Sequence, residues 1–316
     1  MKKQWLVIAA LLTTLTAPAA TLLTEDFDYA QGEVLTDHSW FTQWGAASAI
    51  SVTNGLYFEG YAGCGIGNAA VIDIAESNQL HKSFDQVTEG NLYVAFMFQP
   101  TMTYKEGYFF CLRDNKIDNQ TYNFNARIFM NTDDKLGLTF AQNGNKIYGN
   151  KVLDTSKTYL VVLKYTINED SNNDAVSLYL LDAFSETEPA EPFIGPLTDA
   201  ASIDINPANI VLRGYSADIW LVVDGIRVGT TWEDAVMTGV CANSVPNYSA
   251  NDSKIYVENG SVHFEVAQPN TTTKLYDMAG RCLRNEILAA GNHAIMLQKG
   301  CYLLQLGNQT EKIVID

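Results

Sequence analysis

Leu92-Tyr93-Val94-Ala95-Phe96-Met97-Phe98 and Tyr159-Leu160-Val161-Val162-Leu163-Lys164-Tyr165-Thr166-Ile167 decide the fold class. Both runs are short, crowded with Val, Leu, Tyr and Phe, and bounded by turn residues, which is the pattern of a β-strand. Runs of the same kind cover residues 108–112, 136–140, 176–181, 210–212 and 219–223. Between them, Asn54-Gly55, Asn143-Gly144 and the polar stretch 168–174 supply the positive φ angles or solvated backbone that reversals need. No amphipathic helical stripe of useful length interrupts the strands. The one helix signal is Thr231-Trp232-Glu233-Asp234, a hydroxyl followed three positions on by an acid, as in a capping box. Many evenly spaced strands from Leu22 onward imply an all-β fold, a large two-sheet jelly-roll sandwich over residues 21–240, because a sheet with one apolar face must cover it with another.

After Val240 the composition changes. Residues 241–254 include an Asn- and Ser-rich stretch with Pro246 and no periodic apolar pattern, and read as a linker. Period-two alternation resumes at 255–258, 262–266, 273–277, 294–297, 301–306 and 312–315, with Asn259-Gly260 and Ala279-Gly280 as reversals. In the 301–306 strand, Tyr302, Leu304 and Leu306 share one face. Residues 255–316 therefore form a second, small Ig-like β-sandwich, near the lower size limit for independent stability.

The 316-residue chain has 20 Lys and Arg against 36 Asp and Glu, a formal net charge of -16. That balance opposes the phosphate-neutralising surface of a nucleic-acid binder and docking on anionic lipid. Residues 1–20 have the order of a signal peptide: Lys2 and Lys3, an apolar run from Trp5 to Leu12, then Ala17-Pro18-Ala19 as the small-residue cleavage region. No Cys follows it to carry a lipid, and no later run approaches the ~20 apolar residues of a membrane span. The expected location is outside the cell or on its outer surface, reached through the periplasm. Cys64, Cys111, Cys241, Cys282 and Cys301 have none of the close spacing of a structural zinc knuckle. A Cys282–Cys301 bridge within the tail is one arrangement open to them, and buried, inert thiols are expected for most.

The tail carries the most specific motifs: Lys274-Leu275-Tyr276-Asp277-Met278-Ala279-Gly280-Arg281, then Leu297-Gln298-Lys299-Gly300-Cys301-Tyr302-Leu303-Leu304-Gln305-Leu306, then Lys312-Ile313-Val314-Ile315. It resembles the type A C-terminal sorting domain of Bacteroidetes. The resemblance implies export by the type IX secretion machinery, with Tyr276, Asp277, Gly280, Arg281, Gly300 and Tyr302 as the motif residues. The larger domain resembles the concanavalin-A-like, laminin-G-like jelly rolls of secreted Bacteroidetes proteins. The residues that carry this are Glu25-Asp26-Phe27-Asp28-Tyr29 ahead of Trp40, Gly65-Ile66-Gly67-Asn68-Ala69-Ala70, and the stretch from Leu221 to Trp232. That superfamily holds lectins, adhesion modules and hydrolases alike, so the likeness speaks to fold more than to function.

A glycan hydrolase on this fold would need carboxylates at alternate strand positions, as in Glu-x-Asp-x-x-Glu, and the sequence has no such string. Glu186-Thr187-Glu188 lies in a Pro-flanked loop, and Glu169-Asp170 in a polar turn. Neither a Gly-x-Ser-x-Gly elbow nor a His-Glu-x-x-His zinc helix occurs, and His38, His81, His263 and His293 are scattered. No catalytic residue is therefore assigned. By analogy with the fold, calcium is the one cofactor candidate, with Asp26, Asp28 and Asp224 as ligands where the first and last strands meet. Against this, Asp224-Gly225 also reads as a hairpin turn. Trp40, Phe41, Trp44, Tyr57, Phe58 and Tyr61 could stack on sugars, although most of them are expected in the core. The sequence thus points to a non-catalytic, secreted module binding an extracellular glycan or other ligand. A hydrolase of the same fold and a structural or adhesive envelope component are the rival readings.

Overall fold

A computed structural model of the chain describes residues 21–45, 50–73, 78–118, 121–214, 219–237, 255–258, 260–266, 271–277, 281–306 and 309–315. Residues 1–20, read as a signal peptide, residues 241–254, read as a linker, and the expected Ala279-Gly280 reversal lie outside these residues, as does Asn259 of the Asn259-Gly260 reversal.

The first part of the chain is built from β1 (Thr21–Glu25), β2 (Phe41–Gly45), β3 (Ser51–Thr53), β4 (Ala69–Ile72) and β5 (Asn78–Ser83). The central strands follow: β6 (Gly90–Thr103), β7 (Gly107–Asp118), β8 (Thr121–Met130), β9 (Leu136–Thr139) and β10 (Ile147–Tyr148). It closes with β11 (Tyr159–Ile167), β12 (Ala175–Leu181), β13 (Ile194–Leu197), β14 (Asn209–Arg213), β15 (Ile219–Gly229) and the short helix α1 (Trp232–Val236). One sheet has eight strands in the order β13-β12-β11-β6-β15-β4-β3, with β1 also on β15. The other has seven, in the order β10-β9-β8-β7-β14-β5-β2. All pairings are antiparallel, as expected for an all-β jelly-roll sandwich.

The two runs that decided the fold pair directly, Tyr159 opposite Phe98 through Ile167 opposite Gly90, at the centre of the eight-stranded sheet. Their inner side chains meet the other sheet ring on ring: Phe96 lies 4.8 Å from Phe110 and Phe98 lies 5.2 Å from Phe109. Each such fully buried ring contributes about 2–3 kcal/mol of burial free energy. The polar stretch 168–174 reverses the chain between β11 and β12, with Asp170 and Asn172 at positive φ. The capping box forms as read: the Thr231 hydroxyl accepts from the Asp234 backbone N–H and opens α1.

Asp224-Gly225 is not a hairpin turn. It sits inside β15, where the register against β6 slips between Asp224 and Arg227, so the pair forms a bulge, with Gly225 at φ +58°. The slip re-aims the Asp224 side chain while the strand continues.

The tail comprises β16 (Tyr256–Glu258), β17 (Ser261–Val266), β18 (Thr271–Asp277), β19 (Cys282–Leu288), β20 (Gly291–Met296), β21 (Gly300–Leu306) and β22 (Gln309–Ile315). A three-stranded sheet, β16-β17-β20, and a four-stranded sheet, β19-β18-β21-β22, enclose a separate small core that includes Phe264, Leu275, Leu304, Leu306 and Ile313. Leu304 and Leu306 are buried on one face of β21 with Tyr302 packed beside them, as the alternation required.

Cys282 and Cys301 are both free. β18 runs between their strands, which puts them two strand spacings, about 10 Å, apart, beyond disulfide reach. Of the five thiols only Cys111 is both free and buried among the described residues, whereas Cys64, also buried, is in a disulfide. The expectation that most would be inert buried thiols is corrected accordingly.

Candidate functional site

A sandwich has two outer faces. That of the eight-stranded sheet is closed by a second apolar layer: Tyr61, Tyr93, Met97, Leu160, Tyr179 and Trp232 belong to one buried cluster. Its one prominent carboxylate, Glu188, is occupied, accepting bonds from Tyr93 Oη at 2.7 Å, Lys164 Nζ at 2.9 Å and Tyr179 Oη. Burial alone would raise the Glu188 carboxyl, but these donors outweigh it and hold it below the ordinary range.

The outer face of the seven-stranded sheet is of another kind. Leu80, Phe110, Leu112, Ile128, Ile210 and Leu212 point into the core. By alternation the outward positions are then Gln79 and His81 on β5, Cys111 and Arg113 on β7, Arg127 and Phe129 on β8, and Val211 and Arg213 on β14. The ladder puts them in rows. Phe41, His81, Val211 and Cys111 are register neighbours across four strands, Gln79 lies opposite Arg213, and Tyr108 lies opposite Phe129.

Tyr108 is the hub. The Arg213 guanidinium carbon lies 4.1 Å and that of Arg127 4.5 Å from its ring centroid, so one ring holds two cations by cation–π attraction. Arg213 Nη1 also donates to the Tyr108 carbonyl at 3.3 Å. Arg127 donates to the Phe124 carbonyl at 3.3 Å and to Gln142 Oε1 at 3.1 Å, neutral oxygens that leave its charge uncancelled. Beneath them burial pushes the Cys111 thiol up to about 12, although Arg127, Arg213 and Arg113 all act in the opposite sense. Burial, helped by the Arg113 charge, holds the His81 imidazole down to about 4, so it is neutral at neutral pH. At the edge of the row Phe41 is exposed, its ring 5.8 Å from that of His81. Lys146 adds a cation 4.9 Å from the Phe129 ring and is paired with Glu106. The outward positions named carry no pair of carboxylates, so this face offers cationic, aromatic and neutral hydrogen-bonding groups and not the two facing acids of a glycosidase.

The three aspartates proposed for calcium are placed differently from one another, and no three His, Cys, Asp or Glu side chains among the described residues gather as a metal group. Asp28 is exposed. The Asp26 carboxylate is engaged by Arg227 Nη2 at 2.5 Å. Asp224 is fully buried on the β15 bulge. Its Oδ2 accepts from the Leu56 N–H at 2.7 Å, and its Oδ1 has no partner among the described residues. Burial raises the Asp224 carboxyl well above the ordinary carboxylate range, with the Asp26 charge adding to it. Two glycines permit close backbone packing nearby. A Cβ on Gly67, which has φ +63°, would come within 2.1 Å of the Asp26 carbonyl oxygen, and one on Gly55 would meet the Gly67 carbonyl at 3.1 Å and Asp224 Oδ2 at 3.4 Å. The orphaned Oδ1 is the one feature of these three aspartates that a hard cation would satisfy, with Asp224 as its carboxylate.

Of the candidate stacking residues, Trp40, Phe58 and Tyr61 are core. Phe41 and Tyr57 are exposed, and the Trp44 side chain lies outside the described residues. Tyr57 borders a 460 Å³ hollow with Glu59, Asp182 and Phe184, while a second hollow of 730 Å³ lies by Asn143, Asp199 and Ser202. Neither coincides with the arginine-bearing face. In the tail, Arg281 donates from its backbone N–H at 2.9 Å and from Nε at 3.0 Å to the Asp277 carboxylate, and Tyr302 Oη donates to the Gln298 carbonyl at 2.9 Å. Tyr276 lies in β18 and Gly300 opens β21. Gly280 lies outside the described residues.

No protein-family profile and no curated protein sequence matches the chain. Among solved structures, a carbohydrate esterase from Shiga toxin-encoding bacteriophage phi24B is similar with a TM-score of 0.40 and 13% identity, over 67% of this chain and 98% of that one. The cellulose induced protein Cip1 gives 0.41 and 15%, over 66% and 97%. An endo-1,3-β-glucanase from Streptomyces sioyaensis gives 0.40 and 13%, over 68% and 99%.

Proposed function

We propose that the protein is an exported, non-catalytic β-sandwich that binds an extracellular glycan on the outer face of its seven-stranded sheet. The observation that carries this is the Arg127–Tyr108–Arg213 assembly, with His81 and the exposed Phe41 ring on the same face. Planar donors and an open aromatic ring are what a sugar polymer needs, while the face lacks paired acids. The closed back of the other sheet directs the choice to this one. The test is a glycan array probed with the full chain and with Phe41→Ala. Retention of at least one polysaccharide, weakened in the variant, is expected; no retention on any glycan would end this reading.

Export by the type IX machinery is supported by the tail motifs, and the Asp277–Arg281 contact gives the Tyr276-Asp277 to Arg281 segment a structural role as well. Calcium is proposed as the cofactor, held by Asp224, whose Oδ1 is buried without a donor among the described residues; bound there, it would neutralise a buried carboxylate. Added calcium should raise the melting temperature of the wild type by several degrees and leave Asp224→Asn unmoved. An equal rise in both, or none in the wild type, removes calcium from the account.

A further inference from the structure

We propose that two copies of the chain pair edge to edge through β19, the outer strand of the tail's four-stranded sheet, and so form a two-fold dimer. The inference is independent of the glycan reading. In that sheet β18 is hydrogen-bonded to one side of β19, and among the described residues no strand is hydrogen-bonded to the other. The outward row of backbone N–H and C=O groups is therefore open, and such a row is a template for a further strand. The side chains are open as well: all six from Cys282 to Ile287 are exposed, Leu283 at 39% and Ile287 at 70%.

What fits there follows from the order Leu283-Arg284-Asn285-Glu286-Ile287. An antiparallel partner related by a two-fold axis through Asn285 sets Asn285 against itself. It also sets Arg284 of each copy against Glu286 of the other, and Leu283 of each against Ile287 of the other. Directly opposed residues in antiparallel strands share one face of the sheet, about 5 Å apart, where opposite charges and apolar pairs both favour pairing. The register with β18 keeps the two kinds of contact apart. Ile287 and Asn285 lie opposite Thr272 and Lys274, on the face turned away from the small core, whereas Arg284 and Glu286 lie opposite the buried Leu275 and Thr273. Within one copy Arg284 and Glu286 are 3.3 Å apart, so each already sits where its counterpart across the axis can reach it. The register slip beside Leu283 leaves the stretch from Arg284 to Leu288 regular.

The same charges select the partner. An unrelated strand would leave Arg284 or Glu286 unanswered or facing its like, while a second β19 answers both. Other edges of the molecule are blunted: β3, β10 and β16 have only two or three residues, and β13 carries Pro196. β22, turned on itself about Lys312, would set lysine against lysine. Because the contact is isologous, pairing consumes the β19 edge of both copies and association stops at two.

The experiment is sedimentation equilibrium of the full chain from about 1 to about 200 µM. Salt at about 0.15 M screens the general repulsion between two bodies of net charge -16. The weight-average mass should climb from one chain toward two. Arg284→Glu and Glu286→Arg each set like charges together twice, and each should weaken association at least about tenfold. The doubly exchanged chain, Arg284→Glu with Glu286→Arg, should regain it. So should an equimolar mixture of the two single variants, in which every charge again faces its opposite; recovery there also shows that both variants are folded. A wild type that stays monomeric throughout would overturn the proposal. Single variants that associate as well as the wild type, or a mixture that stays monomeric, would do the same.

Discussion

Glu25 shows how much one residue can organise. Fully enclosed at the end of β1, it accepts from the Phe27 N–H, Tyr29 Oη, Trp40 Nε1 and Lys82 Nζ, and so ties the motif Glu25 to Tyr29 to Trp40 and to β5. Removing it strands the Lys82 ammonium and three donors. Glu25→Ala should therefore cost about 3 kcal/mol in chemical denaturation, far more than an exposed pair would. His81 gives a pH signature of opposite origin. Its imidazole titrates at about 4 when folded and 6.5 when unfolded, so below 6.5 the unfolded chain takes up a proton that the folded chain refuses. Stability should fall as pH drops from 6.5 to 4, by about 1 kcal/mol once the ring's partial exposure is allowed for. His81→Gln should flatten that part of the melting-temperature profile, and an unchanged slope would mean that His81 is not the group responsible.

At the scale of elements, the β15 bulge is the sharpest case. Gly225 has φ +58°, and a Cβ there would stand 3.1 Å from Met97 Cε and 3.2 Å from Gly63 Cα. Gly225→Ala should lose about 1–2 kcal/mol and weaken any calcium response, because Asp224 is aimed by the same bulge. Strands with apolar outer faces were legible in the sequence: the 92–98 and 159–167 runs are covered on both sides and read as continuous greasy stretches. Among those that went unread, β5 as Asn78-Gln79-Leu80-His81-Lys82-Ser83 and β8 with its Asn and Arg interruptions help to build the candidate site, beside β7 and β14, whose apolar runs were read. Their outward positions carry amide, imidazole and guanidinium, which mask the alternation that the inward Leu80 and Ile128 obey. Arg127 and Arg213 are 86 positions apart in sequence, and only the β8-β7-β14 neighbourhood sets them on one tyrosine ring. Of the three aspartates read as calcium candidates, the pairing of Asp26 with Arg227 and the burial of Asp224 are set by the meeting of distant strands, which period and composition do not register.

For the whole molecule, two separate apolar cores make a divided prediction. A chain ending before residue 255 should retain the melting transition of the sandwich and its glycan retention, and should no longer reach the medium in a host with a working type IX system; delivery unchanged by the truncation would remove the export role of the tail. Among the described residues no helix is long and apolar enough to cross a membrane. The sealed back of the eight-stranded sheet has a bearing on what the molecule does to its ligand. If the proposed face is the binding surface and no other part of the body binds, each copy freed of its tail is monovalent. It can coat a fibre but has no second grip with which to bundle two, so mixtures with a long polymer should stay clear and fluid at any ratio, and light scattering that climbed toward a gel would reveal another grip elsewhere on the body.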